Sequence, residues 1–407
     1  MAAPLDGVRV LEMTSWMAAP SAAAMLADLG ADVVKLEPPS GDALRGMGRP
    51  AKHETAAEVD HPFQACNRGK RSITVALDQP GGPELVHRLV ADVDIFMCNV
   101  IVPRQERYGI GPSDLFAFNN RLVHATLSGY GRSGPDAERP GYDVTAFWGR
   151  GGIADSMIAP GTEPVTTPAA MGDYTTGIAF VASILAALRM VEQTGDPQVV
   201  DTSLMATSVW VHSTDLAAAL VDRYEPRKRT RHQALTPLVN KYPTADGRWI
   251  NCNMPQAHFW PKFCRIIGRE DWLDDPGLQT PKQKFDRMED LVDGIDEVML
   301  TRTSAEWGQE FDAAGLIWGP AQTIVDLVDD PHARAVGMFS AVDHPTGSFD
   351  TTTVPIRIEG STIGPRGPAP AKGEHTHEIL SNAGFSAAEI AKLRADGVLG
   401  APDEQSE

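Results

Sequence analysis

From residue 7 to about 128 the chain alternates short apolar runs with helix-patterned stretches, and this alternation limits the folds open to it. Val8–Glu12 reads as a strand, Ala19–Leu29 as a helix ending at Gly30, and Val33–Glu37 as a second strand. Ile73–Leu77, a helix from Gly82 to about Val90, and Ile95–Val100 repeat the scheme. A short helix near Ser113–Phe118 and a strand at Leu122–Leu127 follow. Apolar strands separated by helices belong in a parallel sheet buried on both faces, because each crossover helix covers one face. The expected class is therefore α/β.

Beyond this region the pattern changes twice. A long apolar helix is expected over residues 174–194, just after Gly172-Asp173, then a strand at Val199–Ser203 and a helix at Leu204–Val221. The basic, polar stretch Arg223–His232 reads as a linker. Val239–Cys252 holds Asp246-Gly247 between apolar runs, a hairpin signal. Helical stretches near 257–267, 284–300 and 304–314 complete a candidate second domain at roughly 233–320. The chain then becomes loop-rich, and its tail after Pro402 is expected to be disordered.

Asp6, Arg9 and Glu12 fall where a secretory signal would need an apolar core. The longest apolar run, Ile178–Leu188, is shorter than the roughly 20 residues of a bilayer span. The four cysteines are scattered and form no C-x-x-C, which suggests neither a disulfide framework nor a zinc site. A cytoplasmic protein without a membrane partner is expected.

The net charge of −18 argues against nucleic acid, whose phosphates need a basic surface. The acid is unevenly spread. Residues 1–140 hold 14 Lys/Arg against 17 Asp/Glu, a net of −3, and residues 141–407 hold 22 against 37, a net of −15. An anionic ligand fits the nearly neutral first third better.

Several familiar motifs are missing. The turn after the first strand, MTSWMAAPSAAA, lacks G-x-G-x-x-G, so its backbone cannot approach a pyrophosphate as dinucleotide-binding turns do. There is no G-x-x-x-x-G-K-[ST] and no G-x-S-x-G. The H-x-H of His375 and His377 lies in a Gly/Pro-rich segment and reads as a solvated loop rather than a metal site.

Three segments could carry chemistry. Asn67-Arg68-Gly69-Lys70-Arg71-Ser72 leads into a strand, and its three cations could clamp phosphate oxygens or simply form a charged loop. Gly172-Asp173-Tyr174-Thr175-Thr176-Gly177 opens the apolar helix. There Asp173 could be an ordinary N-cap, or a nucleophilic carboxylate kept ionised by the helix N-terminus, with both glycines admitting substrate. Pro140-Gly141-Tyr142-Asp143, with Phe147-Trp148-Gly149-Arg150-Gly151-Gly152 after it, could line a pocket or form a turn with core aromatics.

Together these segments resemble the family III CoA-transferases, a group that also contains α-methylacyl-CoA racemase. The likeness runs from PLDGVRVLEMTSWMAAPSAAAMLADLGADVVKLEPPSGD through NRGKRSITVALDQPGG, GYDVTAFWGRGG and MGDYTTGIAFVASILAAL to AAGLIWGPAQTIVDLVDDPHARAVGMF. It implies a Rossmann-like large domain, with a smaller α+β domain inserted and two chains interlocked as a homodimer. On that basis residues 1–222 are the first part of the large domain, 223–232 a linker, 233–320 the small domain, and 321–407 a linker and return. Asp173 matches the family's catalytic aspartate, which attacks an acyl-CoA thioester and passes through anhydride and aspartyl-CoA stages. Coenzyme A or acyl-CoA is the implied substrate, a carboxylic acid the acceptor, and no metal is needed. The implied CoA contacts are Met17, Ala18, Asn67, Lys70, Arg71, Asn99, Arg107, Gly141, Tyr142 and Asp143.

The chain departs from the formyl-CoA transferase branch. That branch has Gln at Met17, Arg at Pro38, Lys at Pro140, and a glycine run where this chain has Asn251–Gln256. These changes argue against oxalate as acceptor. Trp16, Met17, Phe147 and Trp148 suit a larger, less polar acyl group. The racemase branch has a His where this chain has Tyr142, and a phenol, with pKa about 10 in model peptides, is a poor base near neutral pH. A CoA-binding protein without activity is the other alternative, and the intact Gly172-Asp173 pair argues against it.

Overall fold

The computed structural model describes residues 2–48 and 58–400; the tail after Pro402 lies outside the described residues. Its centre is one six-stranded sheet. β1 (Arg9–Met13), β2 (Asp32–Glu37), β3 (Arg71–Thr74), β4 (Ile95–Cys98), β5 (Val123–Ser128) and β6 (Gln198–Ser203) are all parallel, in the order β3-β2-β1-β4-β5-β6. Val10 pairs with Val33 on one side and Ile95 on the other. The strand order reverses between β1 and β4, the place where open α/β sheets leave a crevice beyond their carboxyl ends.

Alternation along each strand divides the core in two. Val10, Ile95, Met97, Val123 and Ala125 face one apolar layer; Leu11, Ile73, Phe96 and Cys98 face the other. The first layer is covered by α1 (Ala18–Asp28), the second by α3 (Gly82–Val90), which comes after α2 (His61–Asn67). α1 reads AAPSAAAMLAD and is buried along its whole length. Its small residues let a second helix, α4 (Met171–Thr194), lie directly against it. At Gly177 a Cβ would come within 2.5 Å of Ser21 Oγ and 3.1 Å of the Ala18 carbonyl oxygen.

α4 has 24 residues and is long and apolar enough to cross a membrane, longer than its densest apolar run suggested. Phe180, Val181, Ile184 and Val191 belong to the sheet's core, which accounts for its apolar composition. The helix expected at Leu204–Val221 breaks at His212 into α5 (Leu204–Val211) and α6 (Ser213–Asp222), bent by 83°.

The chain divides into two compact units: Met1–Asp155, Val165–Tyr224 and Arg334–Glu407 form one, Ser156–Pro164 and Glu225–Ala333 the other. In the first unit the C-terminal segment is more regular than its Pro and Gly content suggested. β10 (Phe339–Val342) and β11 (Phe349–Thr352) pair antiparallel, and Ile379, Leu380, Phe385, Ile390 and Leu399 close the second apolar layer. The second unit holds a three-stranded antiparallel sheet of β7 (Val239–Pro243), β8 (Trp249–Asn253) and β9 (Trp318–Pro320). The hairpin at Asp246-Gly247 forms as its turn chemistry predicts, with Gly247 at φ 73°. Tyr242, Phe263, Trp307 and Phe311 centre this unit's own core.

Candidate active site

Asp173 is the third residue of α4 and is half-buried. The N-cap position belongs to Ala170, which sits at φ 59° with no side-chain cap bond, so the Asp173 carboxylate is not the helix's N-cap. Nor does the helix start keep it readily ionised, as the sequence led us to expect. Burial, and then the charge of Asp143, push its pKa up to about 7. Loss of water around the carboxylate and the second acid both oppose its ionisation.

Asp143 is buried and opens a π-helical stretch, Asp143–Arg150, where turn or loop was expected. Such wide turns are rare and frequent at functional sites. Burial raises the Asp143 pKa, although the Trp148 indole and the backbone of Gly172 and Ala170 pull it down. Among the described residues neither carboxylate oxygen completes a hydrogen bond of normal geometry. At Gly172 a Cβ would stand 2.2 Å from Asp143 Oδ1 and 2.4 Å from Phe147 Cγ. Gly172 therefore admits the neighbouring acid, and Gly177 admits α1. Neither spends its missing side chain on substrate, which corrects the sequence expectation. Phe147 and Trp148 are core residues, edge to face with each other, and do not offer themselves as acyl-pocket walls.

The turn after β1 faces the same site. Trp16 stands edge-on to Tyr142, with ring centroids 5.7 Å apart and an interplanar angle of 81°. Both rings are accessible, Trp16 at 37% and Tyr142 at 58%. Trp16 has φ 70°, a conformation that a bulky residue adopts only when its surroundings impose it. Asn99, immediately after β4, donates to the Ser15 carbonyl at 2.8 Å and accepts from the Ser15 amide at 3.2 Å. Met17 precedes α1 and packs against the cluster of Leu44, Phe63 and Cys66; Ala18 is buried as the first helical residue. Gly141 lies backbone to backbone with Gly129, where a Cβ would meet the Gly129 Cα at 2.9 Å. The Tyr174 hydroxyl is 3.3 Å from Cys66 Sγ and ties the start of α4 to α2. The ends of β1, β4 and β5 thus bring Trp16, Met17, Asn99, Gly141, Tyr142, Asp143 and Asp173 to the carboxyl edge of the sheet.

The basic loop behaves differently from its sequence. Asn67 is 0% and Lys70 4% exposed. Lys70 Nζ is 2.6 Å from Glu12 Oε2 and donates to Asn67 Oδ1 at 2.9 Å and to the Pro20 carbonyl at 3.0 Å. Burial lowers the Lys70 pKa to about 8, with Glu12 pulling it back up. Arg68 pairs with Asp28, and Arg71 with Asp32 and Glu378. All three cations have protein partners; Lys70 and Asn67 are tied to Glu12 and α1, whereas Arg71 pairs with Asp32 at the start of β2 and with Glu378. Arg107, at the end of the helix Val102–Arg107, is exposed, its guanidinium 5.9 Å from the Tyr108 ring.

Sequence reading missed the charged group under the turn. Lys35 Nζ lies 2.8 Å from Asp42 Oδ2 and 3.6 Å from Glu12 Oε1, all three side chains being buried. A signal was present: Lys35 and Glu12 interrupt strands apolar on both faces, and buried charges of opposite sign must pair. Of the H-x-H pair, His375 Nδ1 accepts from the Ser72 amide and His377 neighbours Ser381. Among the described residues, His232, Asp293 and Asp296 in the second unit lie close enough to share a cation. Arg231 already engages both Asp296 oxygens there.

The sequence matches CoA-transferase family III over residues 5–376. It is 33% identical over 397 residues to the (R)-2-hydroxy-4-methylpentanoate CoA-transferase of Clostridioides difficile, covering 97% of this chain and 99% of that one. It is 30% identical over 402 residues to the cinnamoyl-CoA:phenyllactate CoA-transferase of Clostridium sporogenes, covering 96% of each. The structure aligns with that of a CAIB/BAIF family protein from Brucella suis at a TM-score of 0.84 and 30% identity, over 94% of this chain and 100% of the other. The chain, with its six-stranded parallel α/β core, belongs to CoA-transferase family III.

Proposed function

We propose that this enzyme moves CoA between two carboxylic acids through covalent intermediates on Asp173. The observation that carries the reading is a half-buried carboxylate that does not cap its helix, at the start of α4 and beside the buried acid Asp143. In the first step an Asp173 oxygen attacks the thioester carbonyl; the C–S bond breaks, CoA thiolate leaves and a mixed anhydride forms. The thiolate then attacks the aspartyl carbonyl, the C–O bond to the donor breaks, and the donor acid departs as carboxylate. An acceptor carboxylate attacks the aspartyl-CoA thioester, and the two steps run in reverse. Atoms and charge balance with no net proton, and each step keeps the energy of one activated acyl bond.

Desolvation serves this chemistry. A carboxylate stripped of water is a stronger nucleophile, and a dry site protects anhydride and thioester from hydrolysis. We assign Arg107, exposed after β4, to a CoA phosphate, while Lys70, itself held by Asn67, ties Glu12 to α1. Tyr142, Gly141 and Met17 flank the path to Asp173.

For the acceptor we favour a branched or aromatic 2-hydroxy acid over oxalate. The accessible Trp16 and Tyr142 rings present apolar area, and the two similar enzymes above are named for 2-hydroxy-4-methylpentanoate and phenyllactate. The working form is an interlocked homodimer: α5 and α6 expose Trp210, Leu220 and Val221 on one bent pair, apolar area that a second copy would cover. Transfer assays with a panel of acyl-CoA donors and acceptor acids, read by mass spectrometry, test the substrate class. CoA thioesters of branched or aromatic 2-hydroxy acids are expected; best activity with oxalate would overturn it.

A further inference from the structure

The segment Thr14-Ser15-Trp16 between β1 and α1 is pinned through four consecutive backbone groups by three side chains from elsewhere in the chain. Lys35 Nζ donates to the Thr14 carbonyl at 2.9 Å. Asn99 binds both the amide and the carbonyl of Ser15. Asp42 Oδ1 accepts from the Trp16 amide at 3.1 Å and from the Leu44 amide at 2.9 Å, while its other oxygen faces Lys35 at 2.8 Å. Glu37 accepts from the Asp42 amide at 2.9 Å, so the anchor is itself anchored.

The centre of this cradle is a tryptophan at φ 70°. Among the described residues Trp16 belongs to no core cluster; it is exposed, and the aromatic ring it meets is that of Tyr142. Strain held by dedicated side chains around an exposed ring that meets Tyr142, the neighbour of Asp143, is expected where the ring's position is itself the purpose. A glycine would take this conformation freely but would bring no indole.

We propose that Trp16 is a specificity-determining residue that selects bulky apolar acyl groups at Asp173, and that Asp42, Lys35 and Asn99 are positioning residues that hold its backbone left-handed. This inference rests on the reading of Asp173 as the acyl-carrying residue. The indole, edge-on to Tyr142, forms a rigid wall. Without the anchors the turn relaxes, the indole leaves the wall, and discrimination falls.

The test uses the full chain with acetyl-CoA and 3-phenylpropanoyl-CoA as alternative donors and (R)-2-hydroxy-4-methylpentanoate as acceptor. For Trp16→Gly, the ratio of kcat/KM between the bulky and the small donor is expected to fall about tenfold or more. Asp42→Asn alone should lower the same ratio, but added to Trp16→Gly it should change it less than about twofold, because the residue it positions is gone. Where Asp42→Asn fails to fold, Asn99→Ala serves as the second anchor variant with the same expectation. An unchanged ratio in Trp16→Gly overturns the inference, as do anchor effects that multiply fully in the Trp16→Gly background, the mark of a merely structural role. If Asp173→Asn transfers at the wild-type rate, the reading of Asp173 fails instead, and the donor ratio still decides the part played by Trp16.

Discussion

The carboxylate of Asp143 sits close enough to that of Asp173 to raise its pKa, and Gly172 is the residue that lets the two approach. A Cβ at position 172 would overlap Asp143 Oδ1 at 2.2 Å. The site is thus a pair of acids, one buried and one half-buried, held together by an absent side chain.

The first prediction concerns pH. With Asp173 at about 7, the ionised nucleophile should be lost as pH falls through neutrality, giving kcat/KM an acid limb near pH 7. Asp143→Asn removes a like charge, which favours ionisation of Asp173. The limb should move to lower pH; a limb that stays in place shows that Asp143 is not the charge felt by Asp173.

Stability should carry the same signature with opposite benefit. The pKa of Asp173 is 3.8 unfolded and about 7 folded, so the native state binds the extra proton and loses stability as pH rises from about 4 to 7. Asp173→Asn should raise Tm at pH 8 by about 3 °C, and the gain should vanish near pH 4. Thermal melts at the two pH values check this, with CoA transfer by the same variant expected to drop about 10³-fold or more.

Gly172→Ala should destabilise the protein by about 2 kcal/mol, since the added methyl would overlap the buried Asp143 carboxylate and the Phe147 ring, which is fixed in the core. Gly177→Ala should cost less, because its nearest neighbour is the Ser21 hydroxyl at 2.5 Å, an end that can rotate away. Denaturant titrations of the two variants would compare them; equal losses would contradict this ranking.

The named basic residues should separate by experiment. Lys70→Met leaves Glu12 as a buried charge without its nearest partner and should cost about 3–5 kcal/mol. Arg107→Ala, at an exposed position, should leave the melt unchanged and raise KM for acyl-CoA about tenfold. Steady-state kinetics and melts on both variants decide.

The sheet was legible because its strands are short apolar runs between helices, a pattern that one burial environment imposes on adjacent residues. The hairpin at Asp246-Gly247 was legible for a similar reason: its turn is encoded by two neighbours. The site was less so. The partner of Lys70 is Glu12, 58 positions earlier in the sequence, and the pairing exists only once β1 and the basic loop meet. The π-helical stretch at Asp143–Arg150 and the left-handed Trp16 have no local signature, since tertiary contacts impose both. The sequence left the NRGKRS loop open between a phosphate clamp and a charged loop, because a cation looks the same whether its counter-charge is a phosphate or a buried glutamate.

The central claim is a covalent acyl link at Asp173, and trapping it is the direct test. The enzyme is incubated with an acyl-CoA donor and hydroxylamine, then digested, and the peptide containing Asp173 is read by mass spectrometry. Hydroxylamine attacks an aspartyl thioester or anhydride at the aspartyl carbonyl and leaves a hydroxamate, so Asp173 should carry that modification only when donor is present. Sustained CoA transfer with an unmodified Asp173, or a hydroxamate on a different carboxylate, would contradict the mechanism.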